Sequence, residues 1–315
     1  MQYGQYPAPR FTIAHLSDVH LLANDAKQYG AVVPESGFAL ALDRLRRLDP
    51  VPQALVFTGD LADRGEPAAY DRLRTLVEPV AAAMGAQVVW VIGNHDERAS
   101  YAHGLFDADD DGPQDRVYDL GGLRIVALDT SVPEYHHGAL TDDQLEWLSE
   151  VLSVRAEHGT ILALHHPPIP TPALEPAAIV ELLDQDRLAA VVEGSDVRQI
   201  LGGHLHYTTH STFAGIPVSI ASASCYTTDP APVDRLVSGV DGNQAFNAVH
   251  VYDDRIVHTA IPIHEAREVS GQPAALRDAL EALSSEERRD IVSRKNSEYN
   301  TSYESQEPRD PLTDL

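Results

Sequence analysis

The sequence predicts an α/β protein in which two layers of strands are covered by helices on the outside. Three observations lead there. Over residues 11–92, short apolar runs alternate with segments of helical periodicity, the order of strand–helix–strand units with parallel strands. After Gly203 the apolar runs become closely spaced and are separated by turn residues, which reads as a more antiparallel half. Several runs also end abruptly in Asp, Asn or His, and parallel sheets collect functional groups beyond the carboxyl ends of their strands.

Residues 1–10 are polar, contain two prolines and read as a lead-in. Phe11–Leu16 is the first strand and leads into Asp18-Val19-His20. Tyr29–Pro34 reads as loop. Ser36–Leu48 carries Phe38, Leu42, Leu45 and Leu48 at helical spacing, with Ser36 as candidate N-cap, and Asp49-Pro50-Val51-Pro52 stops it. Ala54–Thr58 is a strand running into Gly59-Asp60. Glu66-Pro67 opens a helix that Gly85 closes after Met84: proline in the first turn gives up no hydrogen bond, and glycine accepts the left-handed turn at the end. Val88–Ile92 is the strand before Gly93-Asn94-His95-Asp96. Tyr101–Asp119, with its acidic run Asp107–Asp111, reads as an exposed loop holding at most a short helix.

Leu123–Leu128 is a strand ending in Asp129-Thr130-Ser131. Thr141–Ala156 is a helix in which Thr141 and Gln144 make a capping-box pair and Leu145, Leu148 and Leu152 line one face. Thr160–Leu164 is a strand before His165-His166-Pro167-Pro168. Ala177–Val192 reads as helix, and Val197–Leu201 as the strand before Gly203-His204-Leu205-His206. Gly215–Ala221, Ala245–Tyr252 and Arg255–Ile263 are strands, with a hairpin turn at Asp253-Asp254 and a Pro/Gly-rich loop over Asp229–Asn243. Pro273–Arg294 has the spacing of an amphipathic helix (Leu276, Leu280, Leu283, Ile291), and Ser297–Leu315 is expected to be disordered for want of apolar residues. The expected division is a main domain over 1–263 and a polar, partly helical extension over 264–315.

The 315 residues carry 48 acidic and 23 basic side chains, a formal charge of -25, and an apolar share of 43% that suffices for a large core. So acidic a surface disfavours nucleic acid and anionic membranes as general partners, whereas an anionic small substrate is compatible with it where bound cations dominate the local field. Cys225 is the only cysteine, so no internal disulfide can form, which suits a reducing compartment. The first twenty residues lack the basic and apolar regions of a signal peptide, and no apolar run approaches the ~20 residues that span a bilayer; a cytoplasmic protein without a transmembrane segment is expected.

Asp18, His20, Asp60, Asn94, His165, His204 and His206 supply the nitrogen and oxygen donors that two borderline divalent cations need, with one group able to bridge. In Asp-x-His and His-x-His, residues i and i+2 of an extended segment point the same way, so each pair can converge on one site. Two divalent cations bring about +4, and two carboxylates with a bridging hydroxide remove about 3; the remaining charge of about +1 suits an anionic phosphate ester. Two such ions ~3.5–4 Å apart can generate the nucleophile and hold phosphoryl oxygens during in-line displacement. Single motifs carry less. Gly-Asp alone is usually a turn, and His-His-Pro-Pro could be a buried histidine before a strand stop. His15 reads as packed in its strand and Cys225 as a small buried residue. Asp63 and Arg64 read as shaping a turn, with Asp63 also able to orient a ligand. His103, His158, His210, His250, His258 and His264 lack a motif and read as surface or structural.

Taken together, Asp18-x-His20, Gly59-Asp60, Gly93-Asn94-His95-Asp96, His165 and Gly203-His204-x-His206 resemble, in identity and order, the motifs of the calcineurin-like metallophosphoesterase superfamily. VFTGDLADRGEPAA (56–69), DTSVP (129–133), TILALHHPPIP (160–170), GGHLHY (202–207) and GIPVSIASASC (215–225) resemble more narrowly its class III cyclic-nucleotide phosphodiesterases, the mycobacterial cyclic-AMP enzymes above all. The resemblance fades after about Ile263. It implies a four-layer αββα sandwich of two mixed β-sheets flanked by helices. One metal would take Asp18, His20, Asp60 and His206, and the other Asp60, Asn94, His165 and His204, with Asp60 bridging. Iron with manganese, or manganese, zinc or cobalt, are the implied metals. Of the adjacent histidines the metal falls to His165, with His166 pointing away. His95 would be catalytic together with Asp60, facing the phosphate, with His20, Asn94, His136 and His206 also on the substrate. The implied activity is hydrolysis of 3′,5′-cyclic nucleotides, chiefly cyclic AMP, to 5′-monophosphates by a metal-bridging hydroxide, in a homodimer. Two other readings stay open: a broader phosphodiesterase acting on 2′,3′-cyclic nucleotides or glycerophosphodiesters, and a metal-dependent protein that binds or sequesters a nucleotide.

Overall fold

A computed structural model describes residues 4–297 and 299–300. They fall into two compact units, Pro9–His264 and a smaller one whose described residues are 4–8, 265–297 and 299–300.

In the larger unit β1 (Phe11–Leu16), α1 (Pro34–Leu45), β2 (Ala54–Thr58), α2 (Pro67–Met84), β3 (Gln87–Val91) and α3 (Arg98–Phe106) come first. Then follow β4 (Arg116–Leu120), β5 (Leu123–Leu128), α4 (Asp142–Ser153), β6 (Thr160–Leu164), α5 (Gln185–Val192) and β7 (Val197–Gly202). The unit closes with β8 (Thr209–Phe213), β9 (Ile216–Ile220), β10 (Thr227–Thr228), β11 (Gly239–Val240), β12 (Ala245–Val251) and β13 (Ile256–Pro262). Among the described residues one sheet has the order β13-β12-β1-β2-β3, with β1, β2 and β3 parallel and β12 and β13 antiparallel to their neighbours. The other has the order β4-β5-β6-β7-β9-β8, parallel from β5 to β9 with an antiparallel strand at each edge. Both sheets are mixed.

Side chains alternate across a strand, so each sheet has two apolar faces to cover. Ile13, Val56 and Val89 meet Ile125, Ile161 and Leu201 between the sheets. Leu16, Leu55 and Phe57 turn the other way, onto Phe38 and Leu42 of α1 and Leu73 and Val77 of α2. Val126, Leu162 and Ile200 likewise pack on Leu145 and Leu148 of α4 and Leu188 of α5. The layers therefore run helix, sheet, sheet, helix, and each large apolar side chain removed from water contributes roughly 1.5–3 kcal/mol.

Local expectations hold at the Thr141–Gln144 capping box and at Gly85, which caps α2 with φ 67°. Others need correction. Helix α1 starts at Pro34, not after Ser36, because proline's fixed φ suits the first helical position; Val33 is the N-cap and no side chain caps the helix. Of the exposed loop with a short helix expected over 101–119, the helix and the exposed acidic run at 107 and 109–111 are present, but Tyr101 of α3 is fully buried, its ring 6.1 Å from that of Tyr70, and β4 begins at Arg116. The helix expected over 177–192 is a 3-10 turn (Glu175–Val180) and α5, parted by Asp184 at φ 50°. Strand β8 and the β10–β11 ribbon lie in polar or Gly-rich stretches where the sequence predicts no strand.

In the smaller unit α6 (Leu276–Glu281) and α7 (Ser285–Ser293) replace the single amphipathic helix, since Ser284 caps a new helix through a box with Glu287. None of their residues is buried. The disorder expected over 297–315 falls, apart from 297 and 299–300, outside the described residues. No helix among the described residues is long and apolar enough to cross a membrane.

Candidate metal centre

The loops that follow β1, β2, β3, β6 and β7 carry Asp18 and His20, Asp60, Asn94 and His95, His165, and His204 and His206. All the ligands expected from the sequence come together there. The chain bends sharply to deliver them: Asp18, His20, Asp60, His204 and His206 take left-handed φ angles of 52°, 49°, 51°, 71° and 58°. Asp and His enter this region more readily than most residues, but such conformations persist only where the surroundings impose them. The approach of the loops is close enough to require glycine. A Cβ on Gly93 would overlap the amide and carboxylate of Asp60, and one on Gly59 would overlap the ring of His165.

The first cluster is Asp18, His20, Asp60 and His206, all buried, with one donor atom of each within 4.8 Å of the others. His20 Nδ1 lies 3.0 Å from the Asp63 carboxylate and donates to it. His206 Nδ1 donates to the Tyr226 carbonyl at 2.9 Å. In the neutral form both rings therefore turn an Nε2 lone pair inward, and these atoms face each other at 3.2 Å. Asp18 Oδ1 is 3.3 Å from His206 Nε2 and Asp60 Oδ2 is 3.4 Å from His20 Nε2. Four acceptors meeting in a buried space need a cation.

The second cluster repeats the device. His165 Nδ1 donates to the Thr58 carbonyl at 2.7 Å, so its Nε2 lone pair faces Asn94 Oδ1 at 3.0 Å and Asp60 Oδ2 at 3.3 Å. His204 Nδ1 is also 3.0 Å from Asn94 Oδ1. One oxygen of Asp60 thus faces both clusters. Protons answer part of the demand for positive charge. Burial opposes a charge on His165 and on His206, but the carboxylates of Asp60 and Asp18 prevail and raise their pKa values to about 9 and about 10. Burial also works against the charge of Asp60, yet His165 and His95 hold its carboxyl well below the usual range. Burial, with His165 beside it, lowers His204 to about 3, leaving it a neutral acceptor. This donor set of imidazole, carboxylate and amide oxygen fits two borderline divalent ions.

His166 lies beside the second cluster, one ring nitrogen within 4.8 Å of donor atoms of His165 and His204, but both of its ring nitrogens have other partners. Its Nδ1 accepts from the Thr130 hydroxyl at 2.8 Å and its Nε2 donates to the His136 carbonyl at 3.1 Å. His95 flanks the clusters, with ring centroids 4.7 Å from His20 and 5.1 Å from His136. Its Nδ1 donates to the Asp63 carbonyl at 2.9 Å. His136 is exposed and its Nδ1 accepts from Asn94 Nδ2 at 2.9 Å. These residues border a cavity of about 530 Å³ whose wall includes Arg64, Arg98 and Tyr135. His15 is buried with Nε2 2.9 Å from Thr58 Oγ1, and Cys225 is buried with Sγ 4.0 Å from His206 Nδ1.

Sequence reasoning missed the groups that aim these ligands. Thr58 and Tyr226 do so through backbone oxygens, which leave no residue signature, and the Asp63 carbonyl anchors His95 in the same way. Asp63 also orients His20 with its side chain, the lesser of the two roles expected of it. Asp96 is visible in the sequence only as the end of a motif. It is buried and accepts from the amides of Leu61, Ala62 and Gly93 and from the Tyr70 hydroxyl, tying the Asp60 loop to the Asn94 loop.

The sequence profile of the family described as calcineurin-like phosphoesterase matches residues 11–208. The chain belongs to this family. Its members work with a dinuclear metal centre, and the paired clusters around Asp60 are where such a centre fits in this chain. The chain is 52% identical over 264 residues to the cAMP/cGMP dual specificity phosphodiesterase of Mycobacterium tuberculosis, covering 84% of this chain and 83% of that one. It is 49% identical over 282 residues to a Rhodococcus erythropolis protein named "Probable cyclic nucleotide phosphodiesterase", covering 89% and 93%. A dimetal phosphatase from Danio rerio shares the fold, with a TM-score of 0.59 at 20% identity over 82% of this chain and 98% of the other.

Proposed function

We propose that the chain is a phosphodiesterase that opens 3′,5′-cyclic nucleotides, chiefly cyclic AMP, to 5′-monophosphates. The observation that carries this reading is the single Asp60 oxygen facing two buried clusters, with His95 beside them. Asp18, His20, Asp60 and His206 would hold one cation, and Asp60, Asn94, His165 and His204 the other; iron with manganese, or manganese, zinc or cobalt, would suit these donors. When bound, such a pair would supply charge neutralisation for the phosphoryl oxygens and acidify water for attack at neutral pH. The chain's own residues do the rest. His20, Asn94 and His206 would position the phosphate through the cations they hold, and His136 from the wall of the cavity. His95, anchored at Nδ1 by the Asp63 carbonyl, carries at Nε2 the proton that leaves with the 3′ oxygen. The catalytic domain spans 1–263 and the polar extension 264–315. The single cysteine suits a cytoplasmic setting, and a homodimer is part of this reading.

The test is turnover of 3′,5′-cyclic AMP, 2′,3′-cyclic AMP, a glycerophosphodiester and bis(p-nitrophenyl) phosphate by metal-stripped protein reloaded with manganese, beside His95→Ala. Preference for 3′,5′-cyclic AMP, falling about 100- to 10,000-fold in the variant, is expected. Brisk cleavage of the other diesters with almost none of 3′,5′-cyclic AMP would refute the substrate. Tight nucleotide binding without hydrolysis would refute the enzyme.

A further inference from the structure

Beside the first cluster lies a second cavity, of about 410 Å³, which shares no lining residue with the one beside His95. Tyr29, Val32, Tyr226, Val237, Val240 and Asp241 form most of its wall. Its size and its largely apolar lining with a few polar groups are those of a small-molecule site. It begins where the ligands end: the Tyr226 ring lies 4.6 Å from the ring of His206 and 6.5 Å from that of His20. The backbone carbonyl of the same tyrosine orients His206.

Tyr29 faces Tyr226 edge to face at 5.5 Å, their hydroxyls 3.4 Å apart. Its side chain is 78% exposed, and it sits in a left-handed backbone (φ 51°) before Gly30 (φ 70°). Its neighbour Gln28 is buried, and Gln28 Nε2 donates to Asp63 Oδ1 at 2.7 Å, the oxygen that also holds His20. The amide of Gln28 pairs with the Val32 carbonyl at 2.8 Å. Folding gains little from an exposed ring on a strained residue anchored to a ligand's partner, so a binding role is the economical explanation. On the other side β11 packs against Tyr226, where a Cβ at Gly239 would come within 3.0 Å of the ring.

The chemistry of the two cavities differs. The one beside His95 carries Arg64 and Arg98, whereas no described residue lining the one beside Tyr226 is cationic. A phosphate has no partner in the latter, but a neutral aromatic ring does. Tyrosine offers a stacking face, and the Asp241 carboxylate can accept from an exocyclic amine. We propose that Tyr29 and Tyr226 seat the nucleobase of the substrate and so favour a purine nucleotide over base-free diesters. This inference rests on the nucleotide reading of the metal centre.

The experiment is calorimetric titration of 5′-AMP and of inorganic phosphate into the manganese-loaded protein, as wild type, Tyr29→Ala and Tyr29→Phe. Tyr29 is exposed, so neither change threatens the fold. The expected result is 5′-AMP binding weakened about 10- to 100-fold in Tyr29→Ala and less than about threefold in Tyr29→Phe, with phosphate changed less than about twofold in both. Equal 5′-AMP affinity in all three proteins, or 5′-AMP held no more tightly than phosphate by the wild type, would overturn the base seat. A wild type that shows this dependence on Tyr29 yet leaves cyclic AMP intact would support the seat and sink the hydrolytic reading alone.

Discussion

Asp96 offers a sharp test of how the two central loops are held. Its Oδ1 accepts from the Ala62 amide at 2.9 Å and the Tyr70 hydroxyl at 2.9 Å, and its Oδ2 from the Gly93 amide at 2.9 Å. The Leu61 amide reaches both oxygens, at 3.2 and 3.1 Å. In Asp96→Asn the new amide nitrogen must replace one of the two. If it replaces Oδ1 it faces the Ala62 N–H; the tyrosine hydroxyl can rotate to accept, but the backbone cannot. If it replaces Oδ2 it faces the Gly93 N–H. Either way one buried backbone donor is left unpaired, at a cost of about 1–3 kcal/mol. Asp96→Ala strands the whole set and costs about 3–5 kcal/mol. For a domain of this size about 2 kcal/mol lowers Tm by roughly 4–8 °C, and the alanine variant falls further. Because the donors flank Asp60 and Asn94, manganese affinity drops about 10- to 100-fold as well. Thermal melts of the chelator-treated proteins read the first effect and calorimetry with manganese the second. An alanine variant whose melting temperature and manganese affinity both match the wild type would refute the clamp.

Asp63→Ala removes the oxygen that accepts from both His20 Nδ1 and Gln28 Nε2, donors that an asparagine oxygen would still satisfy. Manganese affinity is expected to fall about 10- to 100-fold; unchanged calorimetric affinity would refute the orienting role. Asp115 gives a pH test away from the ligands. Burial, against hydrogen bonds from the Asp129 amide and Gln144, raises its pKa from 3.8 to about 6. A carboxyl raised in the folded state binds its proton more tightly there than in the unfolded chain. The stabilisation is complete below the unfolded value and is lost as pH climbs through the folded one. Asp115→Asn is therefore expected to flatten the decline between pH 4 and 7 by up to about 3 kcal/mol, and parallel wild-type and variant urea melts over that range would refute it.

The parts of the fold legible in the sequence are those in which one signal dominates. Ala54–Thr58 and Thr160–Leu164 are apolar in all but one residue each, buried along their whole length, and followed by polar residues that have a reason to be there. Helix α3 is hidden because its amphipathic signal is weak and an acidic run follows it, although Tyr101 and Leu105 are buried. Strand β8 reads Thr-His-Ser-Thr-Phe, an exposed edge whose pairing with β9 supplies what its composition does not. In the site, ligand identity is legible because metals select side-chain chemistry. The left-handed turns at His20 and His206 and the carbonyls that set the histidine tautomers are not, since they are properties of a backbone fixed by distant packing.

The charge of the chain bears on how such a site attracts a phosphate ester. At -25 the protein as a whole repels one. The arginines on the wall beside His95 do little to reverse this. Arg98 Nε is 2.9 Å from the Asp129 carboxylate, and Arg64 Nε is 3.8 Å from that of Asp63. Glu97 and Glu134 line the same wall, and Asp18 and Asp60 add two carboxylates behind it. The histidine ligands compensate only while protonated, and a cation in the clusters displaces those protons. A positive field toward the substrate must then come from the cations themselves, whose charge exceeds that of the two carboxylates. The acidic surface and an anionic substrate are thus compatible only because the ligand set is poor in carboxylates and rich in neutral donors. Asn94, His165 and His204 would bind without cancelling charge, and a third carboxylate in any of their places would remove most of the field that makes phosphate a partner.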